Sequence, residues 1–390
     1  FYNWLNKKMI INYGKQHIDR EDLSYVIKAL KSEKITQGTY VNEFENQLEK
    51  KFKSRYCTVV NNGTSALYLS IKSLGIKKNS KVLVSPITFF SSAYTIIMNQ
   101  LHPVFCDINL SNYNIDLNQL ETKLKKDKSI KALIVVDYAG QPSDWDALNF
   151  IKKKYNLKII NDNCHAIGAK FKNDIGYACK YADLVTHSYH PVKNITTGEG
   201  GAILTNNRSL DKKIKLLRNH GIIRDKSLST KNGLWYHQVN DYGFNFRITD
   251  FQCALGVSQL KKLDLFIKRR KKIAEIYNKK LKDISFFRTP IVSKNVSHAY
   301  HIYPLLIDFD KFKISKKKFF LSMYNKGISL QTHYIPVYRQ NFLKSYNFSN
   351  NHYKNAESFY KRQVSLPIYY SLKDREINFI VNQIKNILDL

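Results

Sequence analysis

Apolar residues along this chain recur with two periods, and stretches of each kind alternate. Leu23, Ile27 and Leu30 lie on one helical face, so the spacing predicts a helix over Asp22 to Lys31, and Val41 to Phe52 predicts a second. Short apolar runs of strand type follow at Thr58 to Val60, Lys81 to Ser85, Pro103 to Cys106, Leu133 to Val136, Lys158 to Ile160, Leu184 to Ser188 and Ala202 to Thr205. Helical patterns fall between them at Thr64 to Leu74, Phe89 to Asn99 and Asp144 to Tyr155. This alternation predicts an α/β architecture, a mostly parallel sheet with helices on both faces. A single long helix is expected over about Asp250 to Leu281, carrying the solvated run Lys268, Arg269, Arg270, Lys271 and Lys272. Beyond it come a strand (Ile302 to Ile307), a helix (Ser315 to Asn325) stopped by Gly327, a strand (Ile328 to Gln331) and a last helix (Asp374 to Leu388). These predict a large domain over residues 9–255, then the linking helix and a smaller α+β domain over 256–390, with 1–8 an extension ahead of Met9.

The chain has 390 residues, long enough for one large unit plus a smaller one. Its 63 Lys+Arg against 31 Asp+Glu give a formal charge of +32. A charge of this size invites a nucleic-acid reading, but it is spread along the chain with no basic tail or arginine-rich tract. No nucleic-acid partner is expected on that ground. The five cysteines lie at irregular spacings without a Cys-x-x-Cys pair or zinc spacing, so reduced thiols and no metal are expected. The longest apolar-leaning stretch, Ile87 to Met98, is interrupted by Thr88, Ser91, Ser92 and Thr95, so no membrane partner and a cytoplasmic location are expected.

The chemistry concentrates in four segments. Ser188 to Gly201 places Lys193 between a strand end and a glycine-rich turn, where an amine is able to form a Schiff base with an aldehyde cofactor. Taken alone, it also fits an exposed loop with one of many lysines. Gly63, Thr64 and Ser65 open a helix whose free N–H groups suit a phosphate, or are an ordinary capped helix start. Asp162 ends an apolar strand, where a carboxylate is able to pair with a pyridinium nitrogen or to cap a helix, and His165 follows as a donor to a phenolic oxygen or a core histidine. Phe89, just after another strand end, offers a ring to stack on a flat cofactor, or plain packing.

In this order the segments resemble the DegT/DnrJ/StrS-type nucleotide-sugar aminotransferases over nearly the whole chain, from about Ile10 onward. The motifs are Thr36-Gln37-Gly38, Asn62-Gly63-Thr64-Ser65-Ala66-Leu67, Asp162-Asn163-Cys164-His165-Ala166-Ile167-Gly168, Ser188 to Gly201, and Gly243-Phe244-Asn245-Phe246-Arg247. Val136 to Gly140 and His333-Tyr334-Ile335-Pro336-Val337-Tyr338 are most similar to the subgroup that acts in pseudaminic acid biosynthesis. His298 to Pro304 is also similar, with Tyr300 where the usual residue is Asn.

The resemblance implies the type I fold of pyridoxal-phosphate-dependent aminotransferases, with the cofactor in the large domain and Lys193 as the catalytic Schiff-base lysine. It implies cofactor contacts at Gly63, Thr64, Ser65, Phe89, Asp162, His165, Ser188 and Asn245, the last reaching the partner subunit's site in a homodimer. Substrate contacts are implied at Gln37, Gly38, Tyr138, His190, Arg247, His333 and Tyr338. The implied reaction moves an amino group from L-glutamate, leaving 2-oxoglutarate, to C4 of a UDP-linked 4-keto-6-deoxy-N-acetylhexosamine. Another nucleotide-linked keto sugar, a non-catalytic protein on the same fold, and a nucleic-acid-binding protein are the alternatives.

Overall fold

The computed structural model describes residues 10–223, 226–346, 348 and 352–390; the expected extension at 1–8 lies outside them. Helices α1 (Arg20–Leu30) and α2 (Thr39–Phe52) lead into a seven-stranded sheet. Its strands are β1 (Tyr56–Val60), β2 (Lys81–Val84), β3 (His102–Phe105), β4 (Ile130–Val136), β5 (Lys158–Asp162), β7 (Leu184–Ser188) and β8 (Gly201–Thr205), while β6 (Lys170–Phe171) lies outside it. The spatial order is β1-β8-β7-β5-β4-β2-β3. The run from β7 to β3 is parallel, and β8 is antiparallel to both its neighbours.

Side chains alternate across the sheet, as a period of two requires. Leu83, Leu133, Val135, Ile159 and Val185 enter one buried cluster, whereas Val82, Val84, Ile134, Ile160 and Leu184 enter the other. Connecting helices α3 (Gly63–Ser73), α4 (Ser91–Met98), α5 (Leu117–Lys126), α6 (Trp145–Tyr155), α7 (Tyr177–Tyr181) and α8 (Arg208–Arg218) cover the two faces. The sheet is thus mostly parallel and doubly covered, as the alternation predicts.

A short hairpin, β9 (Ile222–Ile223) and β10 (Gln238–Val239), flanks α9 (Lys226–Asn232). The single helix expected over 250–281 is instead two, α10 (Asp250–Lys261) and α11 (Leu263–Leu281). The break falls at Lys262, whose Nζ lies 2.6 Å from Asp19 and 3.0 Å from Asp22. α10 is buried against α1 and α2, and α11 turns away to carry the small domain. That domain holds a three-stranded sheet, β11 (Phe287–Arg288), β13 (Tyr303–Ile307) and β14 (Gln363–Leu366), packed with α11, α12 (Lys316–Asn325) and α14 (Asp374–Ile387). β12 (Val296–Ser297) pairs with β6 and so ties the small domain to the large one. α13 (Lys354–Arg362) and the segment before it return to the large sheet, where Val337, Leu343, Tyr353 and Phe359 are buried. The strand expected at 328–331 is only two isolated bridges, Ile11 with Ile328 and Gln331 with Ser365.

The basic run on α11 is partly structural. Arg270 is buried and donates to the carbonyls of Tyr300, His301 and Ile368, Arg269 pairs with Asp374, and Lys271 donates to Ser297.

Candidate active site

Parallel strands bring their C-terminal ends to one edge, the usual ligand edge of such sheets. Asp162 ends β5 there, Ser188 ends β7, and the loop to Lys193 follows. Antiparallel β8 starts at the same edge, pairing Gly201 with both Ser188 and Val60. This sets the Asn62-Gly63 turn beside the lysine loop.

At that turn, Asn62 caps α3 by accepting from Ser65 N at 2.8 Å, and the N–H groups of Gly63 and Thr64, with no partner among the described residues, suit an anion. A Cβ on Gly63 would lie 2.8 Å from Ser188 Cβ, and one on Gly201 would lie 2.5 Å from the Asn62 carbonyl oxygen. Only glycine allows this approach, which places the Ser188 hydroxyl at the cup.

Asp162 is buried, and its two oxygens accept from Ser92 Oγ (2.8 Å) and Cys164 N (3.3 Å). Among the described residues it has no ion-pair partner, so it is a buried carboxylate awaiting a cation. Lys193 Nζ lies in its field and in that of Cys164, and has no hydrogen-bond or ion-pair partner among the described residues. Desolvation pushes the Lys193 pKa down, against the Cys164 and Asp162 charges.

His165 Nδ1 accepts from Ala139 N at 3.3 Å, so Nε2 carries the proton and faces Tyr334 Oη at 2.9 Å. Burial, then the Lys193 charge, keeps this imidazole neutral. His301 packs 4.6 Å from its ring, and His333 lies behind Tyr334 with Nδ1 2.7 Å from Ser365 Oγ. Burial pushes His333 down to about 3. Phe89 is 44 % exposed, 6.0 Å from the Tyr334 ring, and so leaves a face open to a flat ligand.

These features match a model of the DegT/DnrJ/EryC1/StrS aminotransferase family, which spans residues 16–385. The chain belongs to that family. Among its relatives, the UDP-4-amino-4,6-dideoxy-N-acetyl-beta-L-altrosamine transaminase of Campylobacter jejuni serotype O:2 is 37 % identical, over 97 % of this chain and 98 % of the relative. The spore coat polysaccharide biosynthesis protein SpsC of Bacillus subtilis is 32 % identical, over 96 % of each. The solved structure of Helicobacter pylori PseC, an aminotransferase involved in the biosynthesis of pseudoaminic acid, superposes with a TM-score of 0.89 at 29 % identity, covering 97 % of this chain and 99 % of that one.

Most of the other expected contact residues of this family member fall into three places. His190 is exposed on the lysine loop, where partial desolvation of its ring lowers its pKa, with the Glu199 charge opposing and the Lys193 charge adding to it. Gln37 and Gly38 lie near the far end of that loop: Thr36 bridges to Thr249, and Gln252 donates to the Glu199 carbonyl. Gly38 N, Tyr40 N and Val41 N all donate to Asp250, so the first residue of α10 caps α2 from outside. Asn245 is exposed, and Arg247 donates to Asn219 at 2.6 Å.

Two expected substrate residues stand behind the wall instead of in it. Tyr138 is fully buried and donates to the His333 carbonyl. Tyr338 donates to Glu357 at 2.7 Å and stacks on Tyr353 at 4.6 Å. Four further polar side chains, buried or half-buried, stand at the wall with no role expected of them: Tyr334 and His301, inside two of the motif segments, and Thr88 and Ser92, inside the Ile87 to Met98 run.

Proposed function

We propose that this aminotransferase uses pyridoxal phosphate held on Lys193 to move an amino group from L-glutamate to C4 of a UDP-linked 4-keto-6-deoxy-N-acetylhexosamine, as in pseudaminic acid biosynthesis. The observation that carries the reading is the pairing, at one sheet edge, of a buried carboxylate with no ion-pair partner among the described residues (Asp162) with a half-buried amine (Lys193), beside a helix start suited to a phosphate. The sugar assignment leans on the 37 % relative named for that substrate class.

The residues fit the cofactor. Asp162 would face its ring nitrogen, Gly63 to Ser65 and Ser188 its phosphate, and Phe89 one ring face. When bound, the cofactor supplies an electron sink for charge developing on the carbon that bears the transferred nitrogen. The chain supplies the rest. Lys193 Nζ, freed from the cofactor, moves the proton at that carbon as base and then acid. Neutral His165 gives its Nε2 proton to Tyr334 Oη, which fixes that hydroxyl without adding charge near the amine. The buried aromatic and histidine wall excludes water from this exchange.

We also assign Asn245 to the neighbouring subunit's site in a homodimer. Its exposure, together with exposed Leu234 and Trp235 in the adjoining hairpin segment, supports that assignment. Light scattering of the pure protein tests the dimer.

The function is tested by supplying the dehydrated, 4-keto product of UDP-GlcNAc with glutamate and the enzyme. The expected product has one amino group more at C4, read by mass spectrometry and NMR. An unchanged keto sugar, with the cofactor form of the enzyme intact, would contradict the substrate assignment.

A further inference from the structure

Asp162 does not stand alone at the end of β5. Its Oδ2 accepts a hydrogen bond from Ser92 Oγ at 2.8 Å, and Ser92 is fully buried on the first turn of α4. A serine hydroxyl has one proton. Because Ser92 spends it on Asp162, the contact of 2.9 Å between Thr88 Oγ1 and Ser92 Oγ must be donated by Thr88. The result is a directed chain, Thr88 to Ser92 to Asp162, within a buried setting where each bond polarises the next. Thr88 is buried as well, so water does not compete for any member.

The chain also explains the local sequence. α4 has no side-chain cap of its own, and its residues Ser91, Ser92 and Thr95 are buried polar groups in an otherwise apolar helix. Thr95 is used up on the Ser91 carbonyl at 2.7 Å, which is helix back-bonding. Ser92 alone of these aims at the functional carboxylate.

We propose that Ser92 is a positioning residue for the aminotransferase reaction: it holds the Asp162 carboxylate in the orientation that meets the cofactor's ring nitrogen, and Thr88 acts only by fixing the direction of the Ser92 proton. The proposal rests on the cofactor assignment made above. Without Ser92, Oδ2 loses its hydroxyl donor and the carboxylate is left with the contacts from Cys164, whose backbone N lies at the longer distance of 3.3 Å. A hydrogen bond to a charged group is stronger than a neutral one and orients it more tightly.

The test uses the holoenzyme reconstituted with ring-nitrogen-labelled (15N) pyridoxal phosphate, comparing wild type, Ser92→Ala, Thr88→Val and the double variant. Alanine is a better helix former than serine, so Ser92→Ala keeps α4. In wild type the 15N shift is expected in the protonated range. In Ser92→Ala it is expected to move toward the unprotonated range, with cofactor dissociation about tenfold easier and kcat about tenfold lower while KM for the sugar stays within about twofold. Thr88→Val should shift the signal less, in the same direction, and add nothing in the Ser92→Ala background.

An unchanged 15N signal and cofactor affinity in Ser92→Ala overturn the proposal. Additive effects in the double variant overturn the role given to Thr88. Wild type that binds no cofactor overturns the cofactor assignment itself, an outcome separate from both. Should Ser92→Ala melt early, Ser92→Cys, which keeps a weak donor of similar size, is expected to fall between wild type and alanine in the 15N shift; a shift equal to wild type counts against the proposal.

Discussion

Two buried aspartates end adjacent strands of the same sheet, and they differ in how completely they are satisfied. Asp137 follows β4 and is fully buried. It is enclosed by Ser143 N (2.8 Å), Tyr177 Oη (2.8 Å), Asn161 Nδ2 (3.2 Å) and Asn163 Nδ2 (3.3 Å). Burial still pushes its carboxyl up to about 6, against those donors. Asp162, one strand over, accepts from Ser92 and Cys164 and has no ion-pair partner among the described residues. The first carboxylate is closed on itself and holds the fold. The second keeps capacity to spare at the ligand edge, which is what a binding group needs and a structural group avoids. Position at a strand end is therefore not enough to assign a function; the open valence is the better guide.

The largest effect expected along this contrast is at Lys193, beside the open carboxylate. Lys193→Ala should fold, lose the absorbance of the lysine-bound cofactor, and lose activity by more than about a thousandfold, read in a coupled glutamate assay. Next is Asp162→Asn, expected to lower kcat by about a hundredfold or more while leaving the melting temperature near wild type. Asp137→Asn should do the reverse. The amide has one accepting oxygen where the carboxyl has two, so stability falls by about 1–3 kcal/mol, seen as a lower melting temperature, while kcat of the folded fraction stays within about twofold.

A pH series sharpens the difference. The folded-state value of Asp137 is raised, so the folded protein binds the extra proton and its ionisation costs stability as pH rises from about 4 through about 6. The stability advantage of wild type over Asp137→Asn should be greatest below about pH 4 and narrow through that window. The smallest effect is expected at Tyr338→Phe, which removes the bond to Glu357: about 1 kcal/mol of stability and no change in KM for the sugar beyond about twofold.

The strand–helix alternation made the large domain legible, because fully buried parallel strands leave short apolar runs that few other elements imitate. β14 and α8 were harder to see. β14 buries Gln363 and Ser365, which serve His333, so its apolar pattern is broken by function-side hydrogen bonds. In α8 only Ile214 and Leu217 enter a core among many charges. At the site, Lys193, Asp162, His165 and Gly63 to Ser65 were legible because their motifs are compact. Ser92 and Tyr334 were not: their partners are 70 and 169 residues away, and only tertiary contact relates them. The polar interruptions Thr88, Ser91 and Ser92 in the Ile87 to Met98 run were visible, and read only as evidence against a membrane span. Among the described residues no helix is long and apolar enough to cross a membrane.

The contrast between a closed and an open carboxylate depends on the cofactor lying at Asp162 and being held by Lys193. Borohydride reduction of the cofactor-loaded protein, followed by proteolysis and peptide mass spectrometry, tests this most directly. The expected result is a pyridoxyl mass on the peptide containing Lys193, abolished by Lys193→Ala. A label on any other of the lysines, or no label on protein that is active, would contradict it.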